Sequence, residues 1–399
     1  MGLLLSGYYY RVEMKEVDHA GLERAFRRHY DKLKPLFIHG TTGIGKSDTV
    51  RSQAKQIASD KGREYVEWHS LSEEEKRNVI NRKEDIFILF DIRLASYDPS
   101  DINGIPKLDE DVLRFAPPEW VNTICTEGVH GVVFLDEANL APPLVQSSLY
   151  QLVLDRKVGS YRVSDGVHVV AAGNREGKDR ANIHKTAAPL SNRFGHVKLR
   201  PPTAGEPHPE QGQGTWTAWA IENDLDERVV GYLASGVGEA HLFTFDEDNS
   251  DAHSFATPRS WETVGEMLSE DDTPEDAGFW ASIWVGEGVG TEFEAFLELR
   301  EEADIQSYLD NPEKAKELND AKFDVKHAVM TGVAAKYRDS PDETLRPIIQ
   351  FATHLDKEYA VSTLRLCKEY NEDHLLNTLR SGDIPEWKKL GQDIGKHFL

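Results

Sequence analysis

Two cysteines in 399 residues, Cys125 and Cys367, are too few and too far apart for a disulfide framework, and neither has the spacing of a metal site. A reducing compartment fits this usage, with both side chains expected as small buried apolar groups. Long apolar runs are missing too, and none approaches the length of a membrane span. The opening Leu3-Leu4-Leu5 is short and lacks the basic flank of a signal peptide, so the expectation is a cytoplasmic chain with no membrane partner. Positive charge is scarce. Against 69 Asp and Glu stand 46 Lys and Arg, a net charge of −23, which lacks the basic footprint of a general nucleic-acid binder. The mild local exceptions are Lys178, Arg180 and Lys185. Acidic runs at Glu73-Glu74-Glu75, Asp246-Glu247-Asp248 and Glu270-Asp271-Asp272 read as solvated faces or loops.

With 39% apolar and 29% charged residues, the chain has the composition of a globular protein long enough for two or three domains. No internal repeat is visible. Its organising stretch is Gly40-Thr41-Thr42-Gly43-Ile44-Gly45-Lys46-Ser47, which follows the apolar run Leu36-Phe37-Ile38 and precedes a helix-compatible stretch from Asp48 to about Ser59. Strand, glycine loop and helix start are the parts of a Walker A motif, G-x-x-x-x-G-K-[ST]. The glycines let successive N–H groups line one concavity at the positive end of a helix dipole, where phosphate oxygens bind. Lys46 would reach the β- and γ-phosphates, Ser47 would give its hydroxyl to Mg2+, and Asp48 closes the cofactor-binding stretch.

Around this loop the pattern alternates. An amphipathic helix is expected around Leu22, Phe26 and Tyr30, then strands at Leu36–Ile38, Ile86–Phe90, Gly131–Leu135, Val167–Ala172 and Val197–Leu199. Between them lie helical stretches at 73–81, 119–127 and 144–154, the last opened by Pro142 and Pro143. Residues 91–120, with five prolines and glycines, read as an irregular insertion or loop. Residues 157–168 read as a small hairpin around Ser164-Asp165-Gly166. This alternation predicts an α/β fold with a parallel five-stranded sheet covered on both faces over 1–200. A Pro/Gly-rich linker would occupy 201–215. Helical periodicity follows at 216–233, 259–268, 293–309 and 322–337, with two or three more helices to the end, giving a helical region over 216–290 and a second over 291–399.

Binding needs only the loop, whereas hydrolysis needs a carboxylate for the metal and a group to orient water. The strand ending at Leu135 delivers Asp136-Glu137, a Walker B pattern about 90 residues downstream. Asp136 would hold Mg2+ directly or through water, and Glu137 would polarise the attacking water. At a strand's carboxyl end both emerge where open α/β sheets bind ligands. The strand Ala171-Ala172-Gly173 ends in Asn174, placed to meet the water or the γ-phosphate; such an Asn is otherwise a turn former. Leu190-Ser191-Asn192-Arg193-Phe194 offers Arg193 as an arginine finger or as a surface ion pair. Thr257-Pro258-Arg259-Ser260-Trp261 offers a further cation, Arg259.

Taken together, these motifs over residues 36 to 261 resemble an AAA+ ATPase, and within that superfamily they are similar to the MoxR-like group of phages and bacteria. Asp91-Ile92-Arg93-Leu94 with Asp98-Pro99-Ser100-Asp101-Ile102-Asn103-Gly104-Ile105-Pro106 adds to that likeness, and Phe296-Leu297-Glu298-Leu299 carries it weakly into the last hundred residues. The resemblance implies an AAA+ P-loop core with an α-helical lid, ATP and Mg2+ as ligands, and a homo-oligomeric ring, usually hexameric, with ATP at subunit interfaces. Arg193 would act on the neighbour's nucleotide. Arg259 would be sensor 2, acting within its subunit or across the interface. The insertion at 91–118 would face the pore. The turn at 157–168 would be a shortened form of the family's hairpin, which weakens any inference about threading. The implied activity is chaperone-like remodelling of a protein partner, with a von Willebrand A domain in typical cases. The alternatives are a nucleic-acid motor or McrB-like GTPase, and a nucleotide-gated scaffold that seldom turns over. Retained Glu137, Asn174 and Arg193 speak against the last.

Overall fold

The computed structural model describes residues 14–109, 112–175, 188–205, 215–245 and 253–398. Lys178, Arg180, Lys185, the acidic run at 246–248 and most of the 201–215 stretch lie outside them. The chain divides into two compact units, Met1–Pro201 and Pro202–Leu399.

In the first unit the strands are β1 (Lys15–Val17), β2 (Leu36–His39), β3 (Glu64–Glu67), β4 (Ile86–Arg93), β5 (Ile105–Asp109), β6 (Val112–Ala116), β7 (His130–Asp136), β8 (Lys157–Val158), β9 (Tyr161–Arg162), β10 (Gly166–Gly173) and β11 (Gly195–Leu199). The helices are α1 (His19–Asp31), α2 (Lys46–Asp60), α3 (Glu73–Asn81), α4 (Ser100–Asn103), α5 (Glu119–Ile124), α6 (Pro143–Ser148), α7 (Tyr150–Leu154) and α8 (Ala188–Ser191). Seven strands form one sheet in the order β1-β11-β2-β10-β7-β4-β3, every pair parallel. The five predicted strands are its centre. The two additions are edge strands with the sequences Lys-Glu-Val and Glu-Tyr-Val-Glu, too short and polar to announce themselves.

Period-two alternation divides the sheet's side chains between two faces. Phe37, Ile88, Phe90, Val133, Leu135, Val169 and Ala171 share one core with Trp120, Val121, Val145 and Leu149 from α5, α6 and the residue after it. On the opposite face Phe87 meets Tyr30, and the ring of His168 meets Phe26 and Tyr30, all through α1. Helix α2 buries Val50, Ala54 and Ile57, one helical stripe. Gly131 lets β4 and β7 close up, since a Cβ there would lie 2.0 Å from the Ile88 carbonyl oxygen.

The stretch 91–120 is more ordered than the irregular loop expected from its sequence. Strand β4 runs on to Arg93, α4 follows, and β5 and β6 pair as an antiparallel hairpin. Pro106 within β5 and the lack of a buried face hid it, because Pro in a run argues against a strand unless it lies at an edge. By register, Pro106, Leu108, Leu113 and Phe115 share one face of the hairpin, and Lys107 and Arg114 pair on the other. Leu108 is 71% exposed, Leu113 61% and Phe115 49%. The second small hairpin is present, but it turns at Gly159 (φ +58°) rather than around Asp165. Residues 164–167 are instead held by the Arg156 guanidinium, which donates to the carbonyls of Ser164 (2.6 Å) and Val167 (2.8 Å).

The second unit is helical throughout its described residues. The stretches expected at 216–233 and 293–309 are each two helices, Trp216–Glu222 with Glu227–Ala234 and Glu287–Glu302 with Ile305–Asp310. Asp224, with φ +55°, turns the chain between the first two. Four helices rather than two or three follow Phe323–Asp339. One apolar core runs through the unit from Ala204 to Ile394, around the rings of Tyr232, Trp261, Phe293 and Phe296. Position 290 lies inside the helix Glu287–Glu302, with that core continuous across it. Cys367 is buried, while Cys125 is only half-buried.

Candidate nucleotide site

The glycine loop leaves β2 and enters α2 through two left-handed glycines, Gly43 (φ +73°) and Gly45 (φ +84°). An L side chain at either would be strained. Gly40 is held against its neighbours: a Cβ there would come within 2.8 Å of Ile44 Cδ1, and its N–H donates to the Gly173 carbonyl at 3.2 Å. Thr41, Gly43 and Ile44 are buried, whereas Thr42 and Asp48 are exposed. The Asp48 carboxylate is 3.3 Å from Arg51, which fixes it on the flank of α2.

Lys46 is buried under the loop, and its ammonium donates to the carbonyls of Gly40 and Thr41, both at 2.7 Å, with Asn174 Oδ1 at 3.5 Å. Ser47 Oγ donates to Asp136 Oδ2 at 2.9 Å, so these two oxygens already share one small site at the ends of neighbouring elements. Asp136 Oδ1 accepts the Glu137 N–H at 2.8 Å. Glu137 itself has φ +54°. A non-glycine residue in that region is sterically costly, and such strain gathers at functional positions. Asn139 clamps the adjacent strand end: its side chain donates to Asn174 O at 2.7 Å and accepts from Asn174 N at 3.1 Å. Gly173 makes room, since a Cβ there would lie 2.4 Å from Asn139 Oδ1.

Several contributors carry no sequence motif. His19 of α1 places Nε2 2.9 Å from the Ile44 carbonyl, so that nitrogen is the donor, and burial lowers its pKa. Arg51 bridges three carboxylates, Glu67 at 3.0 Å, Asp91 at 3.3 Å and Asp48 at 3.3 Å, tying α2 to β3 and β4. Burial, and then the nearby charge of Asp136, push the Asp91 carboxyl above the usual carboxylate range against the pull of Arg51. A signal for Asp91 was present, an acid ending an otherwise apolar strand beside Walker B.

Of the predicted groups, the α/β unit brings together the loop, Lys46, Ser47, Asp136, Glu137 and Asn174. Arg193 is in the same unit but outside this cluster: it is exposed and makes no ion pair among the described residues. Arg259 is in the helical unit, exposed in the first turn of Pro258–Met267, where a Thr257–Ser260 capping box fixes the helix start. The oxygens of Ser47 and Asp136 are a hard pair suited to Mg2+ completed by phosphate and water, and no cluster of three metal-binding side chains occurs among the described residues. Strand, glycine loop and helix, with paired acids at the end of a parallel strand one removed in the same sheet, define a P-loop α/β fold.

No protein-family model and no curated protein matches the chain. Among solved structures it is similar to NtrX from Brucella abortus in complex with ATP, at TM-score 0.31 and 13% identity over 90% of this chain and 69% of that one. Thermotoga maritima RuvB, as a point mutant, follows at TM-score 0.29 and 14% identity over 72% of each chain. PCH-2 from C. elegans overlaps at TM-score 0.27 and 11% identity over 90% of this chain and 69% of that one. The chain spans 53% of the length of a further Brucella abortus NtrX structure. At such scores function has to be read from the chain's own residues.

Proposed function

We infer that this chain is an ATP-hydrolysing P-loop enzyme of the AAA+ type, MoxR-like in its motifs, which works as a ring of identical subunits to remodel a protein partner. The observation that carries hydrolysis is the convergence of Lys46, Ser47, Asp136 and Asn174 within hydrogen-bond reach. In this reading the loop N–H groups and Lys46 bind the triphosphate, and Lys46 trades its two carbonyl partners for phosphate oxygens. Mg2+, held by Ser47 and Asp136, would neutralise charge gathering on the phosphates. Glu137 orients and deprotonates the attacking water, and Asn174, steadied by Asn139, fixes that water against the phosphoryl group. Arg193 supports the ring: an exposed arginine with no ion pair among the described residues is suited to the neighbour's nucleotide. The von Willebrand A partner and the hexameric count rest on the motif resemblance. A nucleic-acid motor or McrB-like GTPase is the alternative, which a stimulation of turnover by DNA or a preference for GTP would favour.

The test is ATP turnover per subunit against protein concentration. It should climb through assembly. Lys46→Ala should lose nucleotide binding, Glu137→Gln should bind and turn over about a hundredfold or more slowly, and Arg193→Ala should bind and lose about a thousandfold. A constant rate per subunit from a stable monomer would overturn the shared site.

A further inference from the structure

The end of β2 and the start of β11 carry two histidines that none of the site's motifs includes. His39 is the residue before Gly40, and His196 lies two residues after Phe194 in the segment that holds Arg193. They are 157 positions apart in sequence, and His39 Nε2 is 2.9 Å from His196 Nδ1. His196 Nε2 is in turn 2.7 Å from the Ser191 carbonyl oxygen and 3.2 Å from Ser191 Oγ. A carbonyl only accepts, so His196 carries a proton on Nε2; in the tautomer assigned to the pair its Nδ1 accepts from His39 Nε2. That arrangement of protons closes the chain with His39 neutral. Burial, then His196 and then Lys46, lowers the His39 pKa to about 4, which keeps it in that form at neutral pH.

The rings are also stacked. His39 lies 4.3 Å from Phe37 at 20°, and His196 lies 5.6 Å from Phe37 at 27°. Phe194 meets the edge of Phe37 at 5.5 Å. Arg193 is therefore bracketed by Ser191, bonded to His196, and Phe194, packed on Phe37, while its own N–H donates to Leu190 O at 3.1 Å. Packing alone would be met by apolar rings here. Half-buried imidazoles are costly unless their hydrogen bonds are made, so a satisfied chain of them fixes one geometry where apolar contacts would tolerate several.

We propose that His39 and His196 are positioning residues for Arg193: they tie the strand entering the glycine loop to the turn presenting the arginine, so that one subunit's loop sets the arginine it offers to the next. This deepens the cross-subunit reading given above and rests on it.

The experiment is complementation between purified full-length variants. His196→Ala and His39→Phe, the latter keeping the ring stack on Phe37 and removing the donor, should bind fluorescent ATP within about twofold of the parent, with turnover reduced about tenfold or more. Mixed one to one with Lys46→Ala, whose arginine is correctly held but whose loop is dead, each should recover to about a quarter of the parent rate, the share of interfaces in a random ring that join a live loop to a held arginine. Arg193→Ala mixed with Lys46→Ala is the control. If the control recovers and the histidine variants do not, the positioning role is wrong; if the control itself fails, the cross-subunit reading falls and the proposal with it. Full turnover in both histidine variants, or a loss of ATP affinity matching the loss of turnover, also overturns it. Melting curves exclude unfolding, with His196→Gln as the substitute should His196→Ala not fold.

Discussion

A single buried imidazole sets one of the protein's responses to acid. His168 is fully buried in β10, bonded through Nε2 to the Lys34 carbonyl at 2.8 Å, and burial lowers its pKa from 6.5 to about 4. In this fold it is neutral at neutral pH. Below 6.5 the unfolded chain takes up a proton that the folded chain refuses until about 4, so stability should fall as pH drops across that window and level off beneath it. Melting temperature measured from about pH 7 to about pH 4.5 should fall less steeply for His168→Phe than for the parent. Equal slopes would mean that the imidazole is not kept neutral. His39 adds to the same window for the same reason. At this scale the sequence was readable where a residue type performs its chemistry in a fixed pattern, as at Lys46 and Asp136. His19, His39, Asn139 and His196 were not, because each matters through a partner distant in sequence, and a lone His or Asn carries no signal of that partner.

Among elements, the tight pair β4 and β7 holds the Walker B strand beside the strand that carries Asp91. Gly131 faces Ile88 in register, and any Cβ would meet its carbonyl. Gly131→Ala should cost about 3 kcal/mol, by forcing the two strands apart. A urea melt would read this as a lower midpoint at unchanged slope, whereas Gly288→Ala, with nothing within 4 Å of the new methyl, should be neutral or slightly stabilising. Four of the five central strands, β2, β4, β7 and β10, were legible because they are near-continuous apolar runs, the mark of strands buried on both faces, whereas β11 has Lys198 between Val197 and Leu199. The edge strands β1 and β3 owe their state to a neighbour's hydrogen bonds. So does the β5–β6 hairpin, in which Pro106 argued against a strand. Helix ends failed where a left-handed residue such as Asp224 broke a run whose apolar period continued through it.

For the whole molecule, charge is the dominant constraint. Copies that each carry −23 repel one another, and the proposed ring has to form against that repulsion. Assembly, and with it turnover per subunit, should therefore rise as salt goes from about 10 mM to about 150 mM and the Debye length contracts from about 30 Å to about 8 Å. Sedimentation beside an ATPase assay checks it; a monotonic fall with salt would point to a contact made of exposed ion pairs instead. The division into two units was visible as the fading of the strand pattern near residue 200, but the single core of the helical half was not, since periodicity reveals a buried stripe and not what it is buried against. The β5–β6 hairpin brings a liability of another kind. Its oily face of Leu108, Leu113 and Phe115 backs onto Lys107 and Arg114, and flanking cations are what keep such strands from stacking on one another in a crowded solution. Those two side chains act as the hairpin's guards against self-association, and their loss would show first as turbidity in a concentrated stock, before any change in the chemistry at the glycine loop.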